Sequence, residues 1–163
     1  MKEEQSMKTV KLISLIAFTI FLTASLGMAA SHGVFKAKLI GKEEVPAVET
    51  KATGEADFKL SKDGKEITYT LKVKDIENAK AAHIHAGKMG AEGGPVVGLF
   101  AGPKKEGKFS GVLAKGTITD KNLVGSLAGK TIGDLVELIK SGDAYVNVHT
   151  DKYPNGEVRG QVK

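Results

Sequence analysis

Alternation of hydrophobic and polar residues is the dominant pattern along the chain after residue 33. It is clear in residues 56–61 and recurs in residues 66–74. A period of two predicts β-strands that have one apolar face and one polar face. Asp63-Gly64 lies between these two segments, and this dipeptide between alternating runs predicts a tight hairpin.

The same pattern predicts further strands at residues 34–40, 81–86, 96–100, 109–119, 144–150 and 157–162, with glycine-rich turns between them. A helical period occurs only at residues 131–140, where Thr131 is the expected N-cap, Asp134 follows three residues later and Gly142 lies near the end. Seven or eight short strands predict an all-β fold, an antiparallel Greek-key sandwich or barrel, with this one short helix.

The N-terminal segment differs from the rest of the chain. Lys8 and Lys11 precede an uncharged, largely apolar run at residues 12–30 that ends in small residues. This polarity gradient predicts a signal peptide at residues 1–29, cut after Ala29 or alternatively after Ala30. The alternative is an uncleaved membrane anchor, because the run approaches the roughly 20 residues that span a bilayer. With cleavage, residues 34–163 form a single secreted, periplasmic or cell-surface domain.

The charge balance argues against nucleic acid as a partner. The whole chain has 24 Lys and Arg and 19 Asp and Glu, and removal of residues 1–29 leaves 21 basic and 17 acidic residues, a net charge of +4. Arg159 is the only arginine, and most lysines are spread singly. A nucleic-acid groove needs a more concentrated basic surface. Because the chain has no cysteine, packing, or packing with a metal ion, must hold the domain together.

Three histidines fall on predicted strands. In residues 82–86 the apolar residues share one parity, which places His83 and His85 together on the other face. In residues 145–149 the two valines define the core face and place Tyr145, Asn147 and His149 on the opposite one. All three imidazoles are therefore predicted to lie off the core, either as solvated surface groups or as a site for a ligand.

A His-x-His pair on a strand can chelate one ion, and neutral imidazole suits copper, zinc or nickel. A third ligand from a neighbouring strand would complete such a site. Other catalytic patterns are missing, since the chain has no Gly-x-Ser-x-Gly elbow, no cysteine nucleophile and no phosphate-binding loop. Glu43 and Glu44, shortly before Pro46, are interpreted as loop charges. The sequence favours a binding protein over an enzyme.

Several runs resemble the chordin-type (CHRD) domain family, which is widespread in exported microbial proteins. They are, in chain order, GKEEVPAV (41–48), TGEA (53–56), AHIHAG (82–87), GPVV (94–97), AYVNVHT (144–150) and YPNGEVRGQ (153–161). The resemblance covers about residues 34–162. It implies an extracellular β domain, and the growth-factor binding of the animal family member implies a metal-free protein-interaction module as an alternative function.

A more distant resemblance is to copper-zinc superoxide dismutase, a Greek-key barrel with a His-x-His pair, a late histidine and an arginine near the end. It implies His83, His85 and His149 as ligands of a copper ion, with zinc as the alternative, and Arg159 as a guide for small anions. The alternative for Arg159 is a structural ion pair, with Glu157 as the candidate partner. Dismutase activity ranks third, because no bridging histidine and no second set of ligands are present.

Two further hypotheses concern the polar neighbours of His149 and the N-terminus that cleavage would create. Tyr145 and Asn147 share the His149 face, where they either orient imidazoles or bond a loop. Cleavage after Ala29 would also expose Ala30-Ser31-His32, whose amino group, backbone nitrogens and ring can form a square-planar site for Cu(II) or Ni(II). Cleavage after Ala30 would break that spacing.

Overall fold

The computed structural model describes residues 33–163. The proposed signal peptide and His32 lie outside these residues. The strands are β1 (Val34–Ile40), β2 (Thr53–Leu60), β3 (Glu66–Ala86), β4 (Pro95–Phe100), β5 (Lys105–Thr119), β6 (Ala144–Thr150) and β7 (Val158–Gln161). One α-helix, α1 (Ile132–Lys140), and three short 3₁₀ turns complete the described part. No helix within residues 33–163 has the length and apolar character needed to cross a membrane.

The strands form a closed antiparallel barrel with two additions. Around the barrel β1 pairs with β2, β2 with β3, β3 with β6, β6 with β7, and β7 returns to β1. The remaining strands, β4 and β5, both pair with β3. The prediction of an antiparallel all-β fold with one short helix is confirmed.

The predicted strands at residues 66–74 and 81–86 are in fact parts of one 21-residue strand, β3. The polar segment between them suggested a loop, but the backbone continues as a strand with two irregular residues, Asp75 (φ 56°) and Asn78 (φ 50°). The pairing with β5 shifts at the same points. The first half of β3 pairs with β2, and the second half pairs with β4 and β6. This change of neighbours brings His83 and His85 beside β6.

The helix begins and ends as the sequence predicts. The Thr131 hydroxyl accepts a hydrogen bond from the Asp134 amide, and the Asp134 carboxylate accepts one from the Thr131 amide. This reciprocal cap satisfies backbone donors that the first helical turn leaves free. Ile132, Leu135 and Ile139 are buried, so α1 contributes one apolar stripe to the core.

The sheet formed by β3, β6 and β7 has a second face, opposite the core, and loops cover this face too. The core face carries alternate apolar residues such as Ile84, Val146 and Val148, all fully buried. On the opposite face Tyr145 and Asn147 are each only 3% exposed. Their parity is as the sequence predicts, and both are buried. Loops at residues 41–52, 87–94 and 151–157 close over this face and form a small polar interior.

Candidate metal centre

The register of β3 against β6 assembles the site. His149 is next to Ala81, Asn147 is opposite His83, and Tyr145 is opposite His85. Side chains at directly paired positions point to the same face, with Cβ atoms about 5 Å apart. The two strands therefore carry three histidines, one amide and one phenol on one small area of sheet.

The three imidazoles lie close together on this face. The His83 Nδ1 and His149 Nε2 atoms are 3.1 Å apart, and one nitrogen from each of His83, His85 and His149 lies within 4.8 Å of the others. Ligand bonds of 2.0–2.1 Å around one ion require nitrogens about 3.5 Å apart. The nitrogens of His83 and His149 are within this spacing, whereas the group of three is bounded by 4.8 Å, so the rings would have to move closer together to share one ion.

Backbone carbonyls fix two of the three rings. The His85 Nδ1 atom is 2.8 Å from the Gly93 carbonyl oxygen, and the His149 Nδ1 atom is 3.0 Å from the Pro154 carbonyl oxygen. A carbonyl only accepts, so each Nδ1 carries the proton and each Nε2 presents a lone pair. Metal-binding histidines in proteins are typically held in this way, by a hydrogen bond from the ring nitrogen that does not bind the ion.

The environment of His85 Nε2 is unusual for a polar atom. It is buried, and no hydrogen-bond partner for it exists among the described residues. A buried polar atom without a partner costs about 1–3 kcal/mol, and such atoms are rare in folded proteins. The lone pair of His85 Nε2 therefore marks a position where a cation or another donor would be stabilised.

Burial keeps the three rings uncharged at neutral pH. Desolvation lowers the pKa of His149 to about 4, despite the opposing hydrogen bond to Pro154, and the charges of His83 and His85 act in the same direction as burial. Desolvation also lowers the pKa of His83, aided by the charge of His85. The pKa of His85 is lowered by desolvation against the Gly93 hydrogen bond, with a further contribution from Arg159. Neutral imidazole is the form that binds a metal ion.

Arg159 holds the loop that covers the site. It is only 2% exposed, and its Nη2 donates to the carbonyls of Lys88 and Ala91 at 3.0 and 2.7 Å. Its guanidinium carbon lies 3.5 Å from the centre of the Tyr145 ring, and Tyr145 stacks on His85 with 5.0 Å between ring centres. Arginine, tyrosine and histidine thus form one continuous stack.

These contacts bear on the roles expected of Arg159 and Tyr145. Within residues 33–163, Arg159 makes no ion pair with Glu157, whose carboxylate instead accepts from the Thr50 hydroxyl. Its burial favours a positioning role over guiding anions from solvent. The Tyr145 hydroxyl contacts both the amide and the carbonyl of Gly93, whose carbonyl also holds His85.

Glu44 is the residue that the sequence interpretation missed. It is 8% exposed, and both of its carboxylate oxygens lie 3.0 Å from Asn147 Nδ2. Burial raises the pKa of Glu44 to about 7, partly opposed by Arg159 and by the Asn147 hydrogen bond, while Glu92 adds to the rise. Its position in the run GKEEVPAV, which resembles the CHRD family, was the available signal that it is more than a loop charge.

Comparison with known proteins identifies the family of the chain. A family model described as the CHRD domain matches residues 35–162, and the chain therefore belongs to the CHRD domain family. CHRD domains occur in extracellular proteins. No curated protein and no solved structure gives a significant match to the chain.

Proposed function

We propose that this protein is an exported metal-binding protein in which His83, His85 and His149 hold a single ion. Copper is the favoured ion and zinc is the alternative. The ion would be carried, buffered or used as a simple redox centre in the periplasm, at the cell surface or outside the cell.

The observation that supports this proposal is the arrangement of the three imidazole rings, together with their tautomers and one unpartnered nitrogen. They converge from two strands, two of them have the tautomer set by a backbone carbonyl, and His85 Nε2 is buried without a partner. Surface histidines that only face solvent need none of these features. The proposed site supplies nitrogen donors, which bind Cu(II) more tightly than Zn(II) in the usual order of affinity.

The test of this site must first remove the competing N-terminal site. If the signal peptide is cut after Ala29, His32 becomes the third residue and binds Cu(II) independently of the barrel. N-terminal sequencing of the secreted protein establishes the cut, with Ala30 expected as the first residue. The mature His32→Ala protein is then both the parent for further variants and a matched control, since it lacks a histidine outside the cluster.

Equilibrium dialysis against Cu(II), and separately against Zn(II), measures the stoichiometry. We expect one ion per chain in the His32→Ala protein and none in the His32→Ala/His83→Ala protein. Both proteins must unfold cooperatively on heating, which shows that the barrel is intact. Equal stoichiometry in the two proteins would exclude the three-histidine site.

Family membership supports a second candidate, a metal-free extracellular interaction module. That function predicts the same thermal midpoint in chelator and in Cu(II). The metal site predicts a higher midpoint with Cu(II), because an ion that binds only the folded state at 100 times its dissociation constant adds about 2.7 kcal/mol of stability.

Superoxide dismutase activity remains third, since four histidines in the whole chain cannot supply two adjacent sites with a bridging histidine. A copper-loaded protein that does not accelerate superoxide decay would remove it.

A further inference from the structure

Asn147 lies beside the three histidines, on the same face of the sheet. On β6 it is between Tyr145 and His149, and across the sheet it pairs directly with His83. The next strand, β7, places Arg159 on its other side. Asn147 is therefore surrounded by the histidines and by the residues that hold the covering loop, and it is 3% exposed.

The two ends of the Asn147 amide have different surroundings. Nδ2 donates to both carboxylate oxygens of Glu44 at 3.0 Å, and the ionised carboxylate, which only accepts, requires the nitrogen end of the amide at this contact. Oδ1 is buried and has no hydrogen-bond partner among the described residues. Glu44 directly follows the 3₁₀ turn Gly41–Glu43, which packs on β7. Because Nδ2 faces Glu44, Oδ1 is at the other end of the amide, and the residue paired directly with Asn147 on β3 is His83.

The surrounding backbone is shaped to keep this orientation. Gly156 covers the pair, and a Cβ there would lie 2.3 Å from Asn147 Nδ2 and 2.7 Å from the Glu44 oxygens. The same turn supplies the Pro154 carbonyl that fixes His149. One turn thus packs against the carboxylate and amide pair and also orients a ring of the cluster.

We propose that Asn147 Oδ1 is a fourth, oxygen ligand of the ion held by His83, His85 and His149, and that Glu44 is the positioning residue that directs this oxygen to the ion. The inference rests on the proposed metal site. It explains why Asn147 Oδ1 and His85 Nε2, the two unpartnered buried side-chain polar atoms among the described residues, belong to the same cluster.

The chemical consequence is a donor set of three nitrogens and one oxygen. Four such donors match the coordination that Zn(II) prefers, and nitrogen and oxygen ligands suit Cu(II). Cu(I) prefers soft sulfur ligands, which this cluster lacks. The proposed site therefore selects the divalent ions.

A pair of substitutions separates a ligand role from a merely structural role of the amide. In Asn147→Leu, an apolar side chain of similar size removes both amide ends. In the swap variant Glu44→Gln/Asn147→Asp, the glutamine at position 44 donates to one carboxylate oxygen at position 147, and the other oxygen remains for the ion. Gln161→Leu is the matched control, because Gln161 is another buried amide on the same face and bonds only the Gly87 and Gly142 carbonyls.

Dissociation constants for Cu(II) and Zn(II) are measured by competition with a chelating dye, all in the His32→Ala background. We expect Asn147→Leu to weaken binding by about tenfold or more, and the swap variant and Gln161→Leu to stay within about threefold of the parent. Cooperative thermal unfolding of each variant confirms its fold. Should Asn147→Leu fail to fold, Asn147→Ser replaces it with the same expectation.

Two results would overturn the inference. One is parent-like affinity in Asn147→Leu, and the other is a folded swap variant as weak as Asn147→Leu, because both assign the amide a structural role only. Either result leaves the three-histidine site standing if His83→Ala still abolishes binding. Absence of binding in the His32→Ala parent would instead refute the proposed function itself, and the fourth ligand with it.

Discussion

Glu44 gives this domain an unusual dependence of stability on pH. The residue is 8% exposed in the folded protein, and burial raises the pKa of its carboxyl from 4.5 to about 7. Between these two pH values the folded state binds more protons at Glu44 than the unfolded chain does. The free energy of unfolding contributed by this residue is therefore present below pH 4.5 and is lost as the pH rises to about 7.

The size of the effect follows from the shift. At about 1.4 kcal/mol per unit, a pKa moved from 4.5 to about 7 corresponds to about 3 kcal/mol of stability lost across that range. Glu44→Gln removes the titrating group but keeps a side chain that can hydrogen-bond Asn147. We expect the variant to gain about 3 kcal/mol relative to the wild type between pH 4.5 and pH 7.

Urea unfolding of both proteins in chelator, at intervals from acid to mildly alkaline pH, measures this difference. The three histidines also titrate in this range, with the opposite sign, but they are present in both proteins and cancel in the difference curve. Glu49→Gln, at an exposed position, is the control and should run parallel to the wild type. A difference between Glu44→Gln and wild type that stays constant within about 1 kcal/mol across the range would refute the reasoning.

Two further predictions concern the residues that cover the site. Gly156→Ala places a methyl group 2.3 Å from Asn147 Nδ2; we expect it to cost about 2–4 kcal/mol in urea unfolding. Gly111→Ala is its control, because Gly111 has the same φ of 140° and a Cβ there would meet only Phe109 Cζ at 3.5 Å; equal losses in the two variants would contradict the steric argument. Arg159→Lys keeps the charge but loses the planar guanidinium, whose Nη2 binds two loop carbonyls and whose plane stacks on Tyr145. Amide hydrogen exchange in residues 87–94 should accelerate by about tenfold, matching the loss of about one hydrogen bond; unchanged exchange would show that other contacts hold the loop.

Local patterns were sufficient for most of the secondary structure. The alternation in β2 and the first half of β3, the Asp63-Gly64 hairpin and the capped helix are encoded by near neighbours, and the structure contains all of them. The parity of His83, His85 and His149 also followed from the apolar residues between them. These features depend on backbone geometry that repeats every two or 3.6 residues, which a sequence displays directly.

Contacts between distant segments decided the rest. β3 is a single strand because β5 pairs with it from Glu66 to Ala79, across the stretch between the two predicted strands. Arg159 contacts backbone about 70 residues away, so no local pattern distinguishes it from a surface cation.

The burial of the polar face shows this division most clearly. The sequence by itself determined that His83, His85, Tyr145, Asn147 and His149 share a face away from the apolar core. Only the tertiary structure decided that this face is a partly buried polar cluster, with Glu44 bonded to Asn147 across 103 residues of chain. The reason is physical: strand periodicity sets the side of the sheet on which a side chain lies, but burial depends on which loops fold over that side, and those loops come from remote parts of the chain.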